Sequence, residues 1–212
     1  MSRPASSAVL SPKGERTIAT ILRACVAIVG EEGAAAMSQE AVARRAGISQ
    51  SALRHHFSTK DALLDAVFAG AYDRYRADFT DILLDVELDA GGKLRRLIES
   101  HFDHIADTRD AYIFEAFAHT AREPSARRRR DEWYRWLAGH YGDLIQQMSP
   151  SLAKAETQAC AYQVLTLVLG AWITFGRSRP DLLDGDPARM KASLWTAIDR
   201  LLPTPVSGEV HA

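Results

Sequence analysis

The chain is poor in cysteine, with two in 212 residues, which excludes a disulfide-stapled scaffold. Cys25 and Cys160 sit in apolar helical stretches and read as buried thiols of a reducing compartment. A redox switch would require them to meet, and they fall in different expected domains. Net charge is also nearly absent, 26 Lys and Arg against 27 Asp and Glu, a balance that by itself argues against a nucleic-acid binder. No segment alternates as a strand should. No secretory leader is visible, since the start is short, polar and rich in Pro and Ser. No glycine loop suited to a phosphate occurs, nor a nucleophile–base–orienter set. The longest apolar run, residues 159–176, raises a membrane span. Gln163, Thr166 and Thr174 interrupt it without an aromatic belt or flanking charge asymmetry, so it reads as a core or dimer-seam helix.

What is present is an apolar content of 47%, enough to bury a full core in one large or two small domains. The charge is unevenly spread. Residues 1–60 carry eight Lys or Arg and four Asp or Glu, a net of +4, which leaves −5 for the rest. A basic N-terminal third on an acidic body suits a DNA-facing head and a repelled body.

Apolar spacing predicts helices almost throughout. Ser11 and Pro12 open the first, with Ile18, Ile21, Leu22, Cys25, Val26 and Val29 on its buried face. A long helix runs from Lys60 to about Asp85, spanning on the order of 40 Å, and Gly91-Gly92 loosens the connection after it. Further helices cover about 92–106, 110–122 and 124–148. Ser149-Pro150 caps another reaching about 177, and Asp186-Pro187 caps the last, which ends before Pro203. The run Arg127–Arg130 reads as a solvated helix face with i,i+4 pairs such as Arg127–Asp131 and Arg128–Glu132.

The most informative stretch is 38–60, SQEAVARRAGISQSALRHHFSTK. Ser38 caps a short helix over 39–46 whose Val42 and Ala46 face one way. Gly47 suits a left-handed turn, Ile48 plugs the gap, and Ser49 caps a second helix over 50–56. Ala52 and Leu53 face inward, leaving Gln50, Ser51, Arg54 and His55 outside. A helix in the major groove needs donors and acceptors for base edges and cations for phosphates. Gln50 and Arg54 suit bidentate base contacts, Ser51 is short and adaptable, and Lys60 is placed for a phosphate. Ser38, Arg44, Arg45 and Ser49 complete the candidate DNA-binding set. Two packed helices with a solvated face would show much of the same local pattern.

The run A-x-R-A-G-I-S-x-x-x-L-x-x-H-F-x-x-K-x-x-L, carried by Ala43, Arg45–Ser49, Leu53, His56-Phe57, Lys60 and Leu63, resembles the N-terminal domain of TetR-family transcriptional repressors. The resemblance is specific over 12–68. The family more often has two aromatics flanking the His of this helix, where Arg54 and His56 stand here, while His55 matches the family's His. The resemblance implies that Arg54 takes over a phosphate contact and adds guanine reading, with His56 packed beside Phe57. It further implies an all-α fold, with an arm (1–11), a three-helix helix-turn-helix domain (12–59), a helical ligand-binding and dimerisation domain (60–202) and a tail (203–212).

In the body, His101, Phe102, Tyr112, Phe114, Phe117, Trp133, Tyr134, Trp136, Tyr141 and Trp172 are large and amphipathic. Aromatics at helical spacing make a core, but buried Trp and Tyr need polar partners, and together with His they suit a cavity with polar points. The resemblance implies such a cavity, with His101, Phe102, His104, Phe114, Phe117, Trp133, Trp136, Tyr141 and Trp172 as candidate lining. His101 and His104, with Asp103, Asp107, His119 and His140, have donor types for Zn²⁺ or Ni²⁺, but an isolated H-x-x-H reads as a polar rim or core, and no metal or cofactor is expected. The dimer seam is expected from Leu165, Val168, Leu169, Trp172 and Ile173 on one helix and Leu194, Trp195 and Ile198 on another, with Met190 and Leu201 continuing the stripe.

The expected function is that of a cytoplasmic homodimeric repressor. It binds a pseudo-palindromic double-stranded operator, answers to an unknown small-molecule effector, and needs neither membrane nor catalytic residues. A DNA-binding protein without an effector is one alternative. Another is a helical enzyme using Glu115, His119 and His101 as acid–base groups.

Overall fold

The computed structural model describes residues 11–107, 110–175 and 183–203, without the side chains of 106–113. The expected arm up to residue 10, the tail beyond 203, and the Tyr112 and Asp107 side chains lie outside the described residues. All described elements are helical. The chain divides into two compact units, one ending at Ala69 and one beginning at Gly70.

The first unit holds α1 (Pro12–Glu32), a 3-10 turn (Ala34–Ala36), α2 (Gln39–Ala46), α3 (Gln50–His56) and the start of α4 (Lys60–Leu84). Each α-helix here begins at a hydroxyl. Ser11 accepts from the Gly14 amide at 3.2 Å, Ser38 from Ala41 at 3.0 Å, Ser49 from Ala52 at 3.2 Å and Thr59 from Ala62 at 3.1 Å. Each bond satisfies one of the orphan N–H groups of a first helical turn. Gly47 closes α2 at φ +67°, and the Ile48 amide returns to the Ala43 carbonyl at 3.0 Å. α1 packs on α2 and α2 on α3. Ile21, Cys25, Val29, Val42 and Leu53 are fully out of solvent. Burial holds the Cys25 thiol up at about 11, so it stays protonated at neutral pH.

The second unit holds the rest of α4, α5 (Ala90–Asp107), α6 (Asp110–Arg122), α7 (Pro124–Met148), α8 (Lys154–Thr174) and α9 (Pro187–Leu201). α7 packs against α5, α6 and α8, and α8 also meets α5 and α9. Phe79, Leu97, Ile98, Leu137, Tyr141, Val164 and Val168 belong to one continuous apolar core. No helix of the described residues is long and apolar enough to cross a membrane.

Several local expectations change. Gly91 and Gly92 lie inside α5 rather than in a loose connection, because the Asp89 carboxylate accepts from the Gly92 amide at 2.7 Å and caps the helix. Ser149 ends α7, its amide bonded to the Ile145 carbonyl at 3.0 Å. α8 starts five residues later, where Glu156 accepts from the Ala153 amide at 2.9 Å. The Gln146 amide reaches the carbonyls of Ser149, Pro150 and Leu152 and so holds the intervening turn. In the arginine run, Arg127 donates to the Ala121 carbonyl at 2.7 Å, covering the end of α6. Arg130 pairs with its neighbour Asp131 at 2.6 Å.

Candidate nucleic-acid interface

The surface of α3 is set by its burial pattern. Leu53 is fully buried and Ala52 half-buried, so the helix is pinned along one side. Gln50, Ser51, Arg54 and His55 are exposed. The left-handed Gly47 sets the turn that presents them, and the Ser49 hydroxyl, besides capping, lies 3.0 Å from that of Ser51. His56 is half-buried, its ring 5.2 Å from that of His55. The exposed set offers an amide, a hydroxyl, a guanidinium and an imidazole, the chemistry that reads base edges and grips phosphates.

The other candidate residues are held in distinct ways. Ser38 is consumed by its capping bond. Arg44 is exposed beside Glu40 at 3.8 Å, a separation and exposure at which the pair contributes little. Arg45 turns to α1, 2.7 Å from Glu31 and 3.8 Å from Glu32, and joins the two helices. The Lys60 ammonium donates to the Ala35 carbonyl at 3.3 Å and has two further protons to offer. Gln39, absent from the sequence-derived set, bonds Arg54 and the carbonyls of Phe57 and Ser58. At the first position of α2 it has no helical pattern to mark it.

In the second unit, Trp133 gathers the rings. It stacks on Trp136 with centroids 5.2 Å apart, and Phe79, Tyr72 and Tyr75 lie at 5.7, 6.2 and 6.4 Å. Tyr75 also meets His104 at 4.6 Å and Trp172 at 6.5 Å. The Arg76 guanidinium lies 5.3 Å from the Trp136 centroid. Of the candidate lining residues, His101, Phe102, Trp133 and Tyr141 are buried, while His104, Trp136 and Trp172 are half-buried. Phe114 and Phe117 stand exposed. Tyr72, Tyr75 and Phe79 of α4 are not among the candidate lining residues, and only folding reveals that they face Trp133. Phe102 instead meets Trp195 at 5.9 Å and Phe175 at 6.0 Å.

Among the buried polar atoms of this body that have no hydrogen-bond partner among the described residues are His101 Nε2 and Tyr141 Oη. Burial, with a smaller effect from His104, lowers the His101 pKa to about 3, so its ring is neutral. Burial likewise raises the Tyr141 hydroxyl well above its ordinary value. His104 Nε2 lies 3.4 Å from Asp78. No group of three or more His, Cys, Asp or Glu is gathered for a metal among the described residues. A cleft of about 550 Å³ lies apart from these residues, lined by Arg135, Gly139, Gly142, Asp143, Lys154 and Gln158 among others.

The candidate dimer residues divide. Leu165, Val168 and Ile198 are buried in the unit's own core, and Leu169, Trp172, Leu194 and Trp195 are half-buried. Ile173 is exposed, as are Tyr162, Thr166 and Gly170 on the same helix. The Trp195 indole donates to Glu99 at 2.7 Å, and Glu99 also pairs with Lys191.

Comparison with known proteins converges on one family. Residues 21–67 match the model for bacterial regulatory proteins of the tetR family. The HTH-type transcriptional regulator BetI of Paraburkholderia xenovorans is 25% identical over 185 residues, covering 85% of this chain and 89% of the relative. BetI 2 of Chromohalobacter salexigens is 28% identical over 189 residues, covering 86% of each. A TetR-family transcriptional regulator from Streptomyces coelicolor shares the fold with a TM-score of 0.69 at 19% identity, over 89% of this chain and 95% of its own.

Proposed function

We propose that this chain, which belongs to the tetR family of bacterial regulatory proteins, represses transcription as a homodimer, seating one α3 from each subunit in the major groove of a pseudo-palindromic operator. The observation that carries this is α3 itself. Its apolar residue Leu53 is sealed inside while Gln50, Ser51, Arg54 and His55 face solvent. One such helix touches few base pairs, so useful specificity calls for two half-sites. Arg54 and Gln50 are assigned to base edges, and Lys60, Arg44 and His55 to the phosphate side. Ser38, Ser49 and Arg45 hold the two helices in place, and Ser51, whose hydroxyl lies 3.0 Å from that of Ser49, is short enough to adapt to the groove.

The second unit is assigned to an effector and to the partner subunit. The rings gathered around Trp133, with the buried polar atoms of His101 and Tyr141, support a small-molecule site. Effector control then works as a population shift, in which the ligand favours subunit arrangements whose α3 spacing misses the operator. α4 contains residues of both units and is the proposed route between them. Tyr162 and Ile173 of α8 are assigned to the dimer seam. No catalytic step enters this role, and its place is the cytoplasm.

The test is selection of duplexes from a random pool by the full chain. Recovered sequences should carry inverted half-sites about one helical turn apart, roughly 10–10.5 base pairs centre to centre, each bound by two chains. Recovery of asymmetric sites bound by a single chain would overturn the dimeric reading.

A further inference from the structure

Arg54 is not a free surface side chain. Its Nε donates to the Gln39 Oε1 at 3.1 Å. The same Gln39 carboxamide donates through Nε2 to the Ser58 carbonyl at 2.9 Å and to the Phe57 carbonyl at 3.2 Å. The two ends of the amide are thereby fixed independently. An oxygen must face the guanidinium N–H, and an NH₂ must face the two carbonyls, so the orientation is decided by the partners alone.

Phe57 is the residue that ends α3, its own amide bonded to Leu53 at 2.8 Å. One side chain at the start of α2 therefore grips both the far end of α3 and its arginine. Phe57 and Ser58 supply carbonyls beyond the last turn, where helix ends lack intrahelical partners. With Nε engaged, the guanidinium has its two Nη groups left, and these form a fork suited to guanine O6 and N7 or to a phosphate. An arginine held this way loses less conformational freedom on binding than a free one.

We propose that Gln39 is a positioning residue for DNA reading: it presents the Nη fork of Arg54 and fixes the end of α3, so base discrimination at the Arg54 position depends on Gln39. This rests on the reading of α3 as the DNA-facing helix. Gln39 itself need not touch DNA, and its effect passes through Arg54.

The experiment uses the full chain and a duplex recovered by selection, with each base pair of the half-site varied in turn, at one salt concentration. Arg54→Ala should weaken binding roughly 5- to 150-fold and relax preference at one base pair. Gln39→Met, close in size but without donor or acceptor, should weaken binding roughly 3- to 30-fold and relax preference at that same base pair. The double variant should bind no worse than Arg54→Ala alone. Gln39→Glu keeps an acceptor for Arg54 Nε but loses the donors to Phe57 and Ser58. It should retain the preference ratio at that base pair while lowering the thermal midpoint, which separates arginine positioning from helix support.

If Arg54→Ala leaves binding intact, the DNA-facing reading of α3 fails and the role of Gln39 with it. If Arg54→Ala behaves as expected but Gln39→Met spares the preference, or the losses multiply in the double variant, only the positioning role is overturned. Equal loss of preference in Gln39→Glu and Gln39→Met also overturns it.

Discussion

The imidazole of His101 stands edge-on to the ring of Phe79, with centroids 4.7 Å apart. Charging that ring would place a cation in an apolar site with no hydrogen-bond partner for Nε2 among the described residues. Its pKa is lowered to about 3, chiefly by burial. Above the ordinary histidine value of about 6.5 both folded and unfolded forms are neutral, so His101 has no effect on stability. As pH falls below that, only the unfolded chain takes the proton, and stability is lost until about pH 3. From pH 6.5 to 5 the loss from this one group is about 2 kcal/mol. His101→Leu should remove that share of the acid sensitivity, read as a smaller drop in urea-unfolding free energy between the two pH values. An unchanged drop would show that His101 is not the sensor.

Tyr141 makes the complementary case. Its hydroxyl is buried without a partner among the described residues, so removing it forfeits no bond and ends a desolvation cost. Tyr141→Phe should leave the unliganded protein as stable or raise its stability by about 1 kcal/mol. If an effector uses this hydroxyl, the variant should bind it more weakly, which calorimetry would register. A clear loss of stability in urea unfolding would mean that the hydroxyl is bonded in solution.

Gly47 controls the turn between α2 and α3. At φ +67° it needs a left-handed backbone, while a β-carbon there would meet nothing within 4 Å. Gly47→Ala should therefore cost about 1–2 kcal/mol through backbone strain alone. The measurement is the thermal or urea midpoint together with operator affinity. No change in either would contradict the conformational assignment.

Lys60 is assigned to a phosphate. Lys60→Ala should weaken binding to operator and random duplex alike, and should reduce the salt-dependence slope by about one per chain. Titrations at several salt concentrations check both. A loss confined to the operator would assign Lys60 to a base instead.

At the proposed dimer seam, Tyr162 and Ile173 are exposed on α8, so a charge at either does not strike the unit's own core. Ile173→Asp should shift the protein toward monomer in sedimentation and weaken operator binding in parallel, leaving helicity unchanged. A fully dimeric variant would remove Ile173 from the seam.

The residues whose roles are local were readable before folding. Ser11, Ser38 and Ser49 cap because a short hydroxyl beside an apolar helix has one good bond to make. Gly47 turns because other residues resist that backbone. α3 shows its outer face because Leu53 must be buried. Other features required the tertiary structure. Leu165, Val168 and Ile198 had the spacing of a dimer stripe, but apolar spacing says only that a side is buried, not whose surface covers it; here the unit's own core does. Arg45 read as one more cation until folding brought α1 within reach and Glu31 and Glu32 took its charge. The meeting of Gln39 with Arg54, fifteen residues later, and of Trp133 with Phe79 depends on how helices cross. Crossing is set by packing between distant side chains, which no local pattern encodes.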